Sequence, residues 1–324
     1  MKALQLKAFG KPTDVVKLVE VADVGAPNGN EVVIALEASP INVTDLLIIA
    51  GRYGYLPPLP SILGVEGAGR VVAVGADIKH LREGDRTLIP PLQPAWVERI
   101  KVSAEWLRPL PKGDVNQLSM LGINPATAYL LLTEFVQLKP GDWVIQNGAN
   151  SATGRALIPI ARSLGIRTVN VVRRAELVDE IRMIGGDVVL VDGPDLSKRV
   201  AAATGKAPVQ LALDMVADSS TLNLMNALAP NGVVVTYSAM SGKPTMIGSA
   251  LNVIFRNMSI RGFWLFNWYK TATPEKLVAM YEFLAGMVAS GTITAPVAGT
   301  YGLDRFAEAL AEAARFKGKV ILTP

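Results

Sequence analysis

Up to Asn124, apolar residues come in short runs such as Val32–Leu36, Gly69–Val74 and Arg86–Ile89. Gly, Pro and Asp separate these runs, so each predicts a strand closed by turn-formers. One stretch breaks the pattern. Asn42 to Ala50 predicts one or two helical turns, with Asn42 as N-cap and Gly51 as the stop. The tract that follows, Tyr53–Pro60 (YGYLPPLP), is barred from helix because proline fixes φ and lacks a donor.

Beyond Asn124 the rhythm becomes strand, helix, strand. Asp142–Gln146 predicts a strand and Gly154–Leu164 a helix, and Arg167–Val172 with Glu176–Ile184 repeats the pair. Asp187–Val191, Gln210–Met215 and Gly232–Tyr237 add three strands. This alternation predicts an α/β fold with a parallel sheet of the dinucleotide-binding type. Leu303–Phe316 then predicts an amphipathic helix and Lys319–Leu322 a final strand. The chain reads as a β-rich domain, residues 1–122 and 266–324, around an inserted α/β domain, residues 123–265. There is no internal repeat: LREGD (81–85) and LKPGD (138–142) share turn chemistry only.

Composition narrows the chemistry. Half of the 324 residues are hydrophobic, which excludes disorder and suits about two domains. With no Cys, disulfides, thiolate metal sites and cysteine nucleophiles are excluded. The single His, His80, excludes a histidine-rich metal site and any two-histidine mechanism; beside a turn, it reads as a solvated side chain. The net charge of +4 is small, and no Lys/Arg block tracks a nucleic-acid backbone. MKALQLKAFG has no apolar signal core, and the uncharged stretch Ser219–Gly242 is broken by Ser, Thr, Asn, Pro and Gly. Neither a leader nor a membrane span is expected, and the expected location is cytoplasmic.

The strongest local signal is the junction Gln146–Gly154 (QNGANSATG), which leaves a strand and opens a helix with the spacing Gly148-x-x-Ser151-x-x-Gly154. Such a turn lets backbone N–H groups approach a pyrophosphate, although an ordinary βα loop can show the same spacing. The next strand discriminates. A carboxylate about 20 residues on would bind the ribose 2′-hydroxyl of an unphosphorylated cofactor. Here Arg173 and Arg174 stand 19 and 20 positions after Gly154, and no acid appears before Glu176. Guanidinium groups suit a 2′-phosphate, which points to NADPH; the alternative is two solvated arginines at a strand end.

Gly64-Val65-Glu66-Gly67-Ala68-Gly69, followed by Val71-Val72-Ala73-Val74-Gly75, resembles the medium-chain dehydrogenase/reductase superfamily. Zinc-dependent members carry His where this chain has Val65, with a Cys ligand upstream. Valine cannot coordinate a metal, so the resemblance is to zinc-free members. Several segments resemble the 2-enoyl thioester reductases of the mitochondrial trans-2-enoyl-CoA type. They are Pro40–Asp45 (PINVTD), Gly122–Tyr129 (GINPATAY), Val144–Asn147 with Asn150-Ser151, and Val169–Arg173. Farther on come Thr236-Tyr237 with Met240, Arg261–Leu265 with Trp268, and Lys319–Thr323. The departures are Ala152 for a glycine, Arg-Arg-Ala for an Arg-Asp-Arg-like stretch, and Ser238-Ala239 for two glycines.

The resemblance implies a β-rich GroES-like catalytic domain with an inserted Rossmann-type doubly wound parallel sheet. It implies NADPH-dependent reduction of the C=C bond of trans-2-enoyl thioesters, a step of fatty acid metabolism, with no metal. It assigns Tyr53 as the catalytic acid. It assigns cofactor contacts to Asn124, Asn150, Ser151, Ala152, Thr153, Arg173, Arg174, Tyr237, Met240, Phe263, Trp264 and Lys319. The substrate would be a small-molecule or carrier-bound enoyl group, on coenzyme A or acyl carrier protein. The protein would be a homodimer paired through the apolar Gly232–Tyr237 and Leu251–Phe255 region.

Read from the residues alone, Tyr53 sits on a proline-stiffened loop after the short helix, a position suited to a cleft. Its phenol, with a pKa of about 10, keeps a donatable proton at neutral pH. The alternative is a packing aromatic beside Tyr55. Asp45 reads as structural, ordering the loop that presents Tyr53. Phe263, Trp264, Phe266, Trp268 and Tyr269 are either core or the apolar wall of an acyl cleft. No Gly-x-Ser-x-Gly elbow occurs, so serine hydrolysis is unsupported. Two other functions stay open: an NADPH:quinone or general enone reductase of the same superfamily, and a non-catalytic NADPH-binding module.

Overall fold

The computed structural model describes residues 1–324 as two compact units, Met1–Ala126 with Tyr269–Pro324, and Thr127–Trp268. The sequence pattern draws these junctions at 122/123 and 265/266. The first falls instead within the helix Asn124–Thr133 and the second near the end of the helix Leu265–Tyr269. Both helices are rich in apolar and aromatic residues, so no polar linker marks a division.

Fifteen strands run in chain order: β1 (Lys2–Leu6), β2 (Val16–Glu20), β3 (Glu31–Ile41), β4 (Ser61–Ile62), β5 (Gly67–Val74), β6 (Arg86–Ile89) and β7 (Arg99–Ser103) in the first unit. β8 (Trp143–Gln146), β9 (Arg167–Val172), β10 (Val188–Val191), β11 (Val209–Asp214), β12 (Val233–Thr236) and β13 (Ser259–Gly262) belong to the second. β14 (Val297–Gly302) and β15 (Lys319–Thr323) return to the first.

In the first unit, β2-β1-β4 form a small sheet, and β14-β15-β3-β5-β6 lie in that order in a larger one. β3 is the shared member. Its Glu31–Ala35 half pairs with β7, Ser39–Ile41 pairs with β15, and β5 runs beside Val32–Ala38. Leu4, Leu6, Ile34, Ile49, Trp96 and Leu107 are fully buried and form part of its core. The helix Val43–Ile49 starts at Asn42, as its capping chemistry predicts, and ends where Gly51 takes φ +70°. The 16-residue helix Pro274–Ala289 begins at a Thr273 cap, with Thr273 Oγ1 accepting from the Lys276 N–H. The sequence pattern assigns no element here, because apolar residues lie all round this helix and blur its period.

All six strands of the second unit are parallel, in the order β10-β9-β8-β11-β12-β13. Counted from β8, this is the doubly wound order 3-2-1-4-5-6, which reverses direction between β8 and β11. Trp143, Ile145, Val169, Val171, Leu224, Met225 and Val234 fill its core. β13, at one edge, is exposed along its whole length. No helix is long and apolar enough to cross a membrane.

Candidate active site and cofactor site

In the second unit, the cofactor residues assigned from sequence gather at strand C-terminal ends, where ligands bind in open parallel sheets. The loop after β8 carries Asn150 and Ser151; Ala152 and Thr153 open the helix Ala152–Ser163. Ser151 Oγ caps that helix, accepting the Gly154 N–H at 3.0 Å. Gly148 has φ +59°, and a Cβ on Gly154 would lie 2.7 Å from Ala149 Cα. Both positions therefore demand glycine, and the turn stays tight enough to present the helix N-terminus to an anion. Arg173 and Arg174 follow β9 and are exposed. Tyr237 and Met240 follow β12, held by the Tyr237 N–H on Asp214 O and the Met240 N–H on Met215 O. Phe263 follows β13 and meets Phe135 edge-on at 5.6 Å, while Trp264 lies 6.0 Å from Phe266. Phe266 itself is buried core.

Two residues that sequence reasoning did not single out lash the ends of β8 and β11. Asn147 Nδ2 donates to Asp214 Oδ1 at 2.7 Å, and Asn147 Oδ1 accepts the Met215 N–H at 2.7 Å. Asp214 also accepts from Val216 N, Ala217 N and Thr221 Oγ1. These bonds fix the switch point from below. The neighbouring Tyr237 hydroxyl is buried with no partner, and burial together with Asp214 pushes its pKa up.

In the first unit, Tyr53 lies on the loop after the helix Val43–Ile49 and is half-buried, whereas Tyr55 beside it is 51% exposed. Asn124 and Lys319, far apart in sequence, meet on one atom. Lys319 Nζ and Asn124 Nδ2 both donate to Asn42 Oδ1, the latter at 3.3 Å. Asn42 Nδ2 in turn donates to Glu66 Oε1 at 2.7 Å, and Glu66 Oε2 accepts the Ile123 N–H at 2.8 Å. Asp45 Oδ2 accepts the Asn42 N–H. The Tyr269 hydroxyl donates to Gly122 O and shares a hydrogen bond with the Tyr281 hydroxyl. Tyr269 thus belongs to this polar cluster rather than to an apolar wall.

Two buried carboxyls face a single ammonium here. Burial raises both Glu66 and Asp45 to about 7; Lys319 and the Asn42 bonds oppose the rise, and mutual repulsion adds to that of Asp45. Burial lowers Lys319, against the pull of Glu66 and Asp45. Asn42 and Glu66 were legible only as a cap and a motif member. The signal available was a lone charge in the small, apolar run Gly64–Gly69, since a carboxylate is seldom buried without partners. His80, exposed, meets Ala104 O through its ring at 2.9 Å and is remote in role from this cluster. No group of three or more His, Cys, Asp or Glu is placed to hold a metal ion.

Comparison with known proteins matches residues 28–123 to the alcohol dehydrogenase GroES-like domain and residues 152–283 to the zinc-binding dehydrogenase domain. Among curated proteins, the mitochondrial enoyl-[acyl-carrier-protein] reductase of Rattus norvegicus is 36% identical over 322 residues, covering 96% of this chain and 84% of that protein. The Caenorhabditis elegans protein of the same name is 38% identical over 304 residues, 90% of this chain and 86% of its own. Among solved structures, Etr1p, a mitochondrial 2-enoyl thioester reductase of Candida tropicalis, appears in complex with NADP and crotonyl-CoA. It matches with TM-score 0.87 at 25% identity, over 100% of this chain and 99% of that one. A protein designated an NADPH:quinone reductase, from Bacillus thuringiensis, matches with TM-score 0.88 at 29% identity, over 100% and 98%. The chain belongs to the medium-chain dehydrogenase/reductase superfamily, in the family of the mitochondrial enoyl-[acyl-carrier-protein] reductases.

Proposed function

We propose that this NADPH-dependent oxidoreductase reduces the C=C bond of trans-2-enoyl thioesters carried on coenzyme A or acyl carrier protein. The observation that carries this reading is the 36% identity, along 96% of the chain, to an enoyl-[acyl-carrier-protein] reductase. The site chemistry is consistent with it. The tight Gly148–Gly154 turn, the exposed Arg173 and Arg174, and the unpartnered Tyr237 hydroxyl fit a phosphorylated dinucleotide. Asn150, Ser151, Ala152 and Thr153 would hold the pyrophosphate, and the arginine pair the 2′-phosphate. Tyr237, Met240, Phe263, Trp264, Asn124 and Lys319 would complete the contacts. When bound, NADPH supplies a hydride, which the reduction needs at Cβ. Tyr53 supplies the other half: its phenol hydrogen-bonds the growing enolate and delivers the proton at Cα.

The test follows NADPH absorbance with crotonyl-CoA and trans-2-decenoyl-CoA beside 1,4-benzoquinone and 9,10-phenanthrenequinone. Turnover of the enoyl thioesters with little on quinones supports the reading. Quinone turnover alone replaces it with quinone reduction, a reading favoured by the likeness to the Bacillus thuringiensis structure. Binding of NADPH with no turnover of any acceptor would leave a non-catalytic module.

We also propose a homodimer. β12, within the Gly232–Tyr237 stretch expected to pair, is flanked by β11 and β13 and has no free edge, but β13 has one. Ile260 on it and Leu251, Ile254 and Phe255 just before it in the chain are exposed, Phe255 at 80%. Pairing of two such edges would satisfy the open backbone groups and cover the apolar patch.

A further inference from the structure

We propose that Glu66 is a positioning residue that holds Asn124 and Lys319, through Asn42, in the orientation their cofactor contacts require. The proposal rests on the reading of Asn124 and Lys319 as cofactor contacts.

An asparagine amide can face either way. Asn42 is held one way because its NH2 is taken by a carboxylate oxygen, Glu66 Oε1. Its carbonyl oxygen is thereby turned to the Lys319 ammonium and the Asn124 NH2. Reversed, the amide would set its NH2 against the Lys319 ammonium, which has no acceptor, and its carbonyl oxygen against the Glu66 carboxylate, which has no donor. The second carboxylate oxygen of Glu66 takes the backbone N–H of Ile123, the residue just before Asn124. Asn124 is therefore held twice by one carboxylate, through its backbone neighbour and through its side chain.

Two features require glutamate. A glutamine would turn one of these oxygens into an NH2, which must face either the Asn42 NH2 or the Ile123 N–H, both donors. The backbone at Gly122 also closes on the carboxylate. A Cβ there would lie 3.1 Å from both Glu66 Cβ and Oε2, so the carboxylate occupies a slot with no spare room. Charge supports the same view. The groups facing Glu66 are Lys319 from β15, Asp45 from the helix Val43–Ile49, and Tyr269 and Tyr281 from the two helices Leu265–Tyr269 and Pro274–Ala289. Lys319 is the only cation among them, so Glu66 stabilises its ammonium and steers it at the same time.

The experiment measures NADPH binding to the full-length protein by fluorescence titration, with kcat and the unfolding midpoint recorded alongside. Glu66→Gln raises the NADPH Kd about tenfold, as loss of one hydrogen bond to a charged group would, with a smaller change in kcat. Asn42→Ala has a similar effect, and the double variant is no worse than either single one, because both break the same relay. Additive losses, or an unchanged Kd in folded Glu66→Gln, overturn the proposal. Should Glu66→Gln fail to fold, Gly122→Ala crowds the same carboxylate and is expected to weaken NADPH binding in the same direction. Lys319→Met and Asn124→Ala separate the two levels. If they weaken binding while Glu66→Gln does not, only the positioning role falls; if neither weakens it, the contact reading falls and takes the positioning role with it.

Discussion

Asp45 Oδ2 accepts the backbone N–H of Asn42 at 2.8 Å, while Asp45 Oδ1 is buried with no partner at all. The bonded oxygen closes the start of the helix that leads to Tyr53. Asp45→Ala should therefore lower stability by about 0.5–2 kcal/mol, the usual range for loss of a helix-start bond. Because the helix runs into the Tyr53 loop, kcat should fall more than NADPH affinity. Thermal unfolding and steady-state kinetics check both, and an unchanged kcat would separate the helix start from the chemistry.

Tyr53→Phe removes one hydroxyl and keeps the ring. If the phenol delivers the proton, kcat falls about a hundredfold or more, within the range for general acid catalysis. NADPH affinity, measured by titration, stays essentially unchanged. Equal losses in both would make Tyr53 a packing residue.

Arg173 and Arg174 are exposed where β9 ends, and no carboxylate stands at that point. Arg173→Ala and Arg174→Ala should each raise KM for NADPH about tenfold and leave KM for NADH nearly constant. Parallel rises for both cofactors would show the arginines acting on the pyrophosphate or on the loop instead.

Glu66 and Asp45, both raised to about 7, bind protons in the folded state that they would release when unfolded near pH 5 to 7. The folded chain then holds more protons than the unfolded one, so stability is greatest below this window and falls as pH rises through it. Lys319, lowered from 10.5, acts with the opposite sign in the alkaline range, where the folded state holds fewer protons. Unfolding midpoints measured from pH 5 to 8 should decline, and Glu66→Gln should flatten the decline. A midpoint that rises over this range in the wild-type protein would contradict the assignment.

Phe255→Glu, placed on the exposed patch beside β13, should convert a dimer to a monomer in light scattering while the unfolding midpoint of the monomer stays close to that of the parent. A dimer that survives the charge would lie on another face.

The inner strands of the second unit were legible because they are short, largely buried and alternate with helical patterns; Arg167–Val172 is a strand over the predicted residues, whereas the exposed edge strand β13 carries no such pattern and was not predicted. The turn Gly148–Gly154 was legible from its glycine spacing, and the φ of Gly148 and the close contacts at Gly154 explain why glycine stands there. The polar cluster of the first unit was not. Glu66 joins Asn42 across 24 residues and Ile123 across 57, and hydrophobic period carries no record of such pairings. Asn124 and Lys319 were assigned by resemblance, but the atom that joins them, Asn42 Oδ1, is visible only once β3 and β15 are paired. The helix Pro274–Ala289 escaped for the opposite reason, having too many apolar residues to show a face.

β15 lies beyond the whole second unit in the chain, yet it pairs with Ser39–Ile41 of β3. During synthesis, the parallel sheet can close while the earlier sheet still lacks this strand. For that interval part of β3 has an open hydrogen-bonding edge, and Asp45 and Glu66 have no ammonium between them. The nascent first unit is thus a stage at which stray strand pairing competes with folding, and arrival of β15 ends both the vacancy and the charge imbalance in one step.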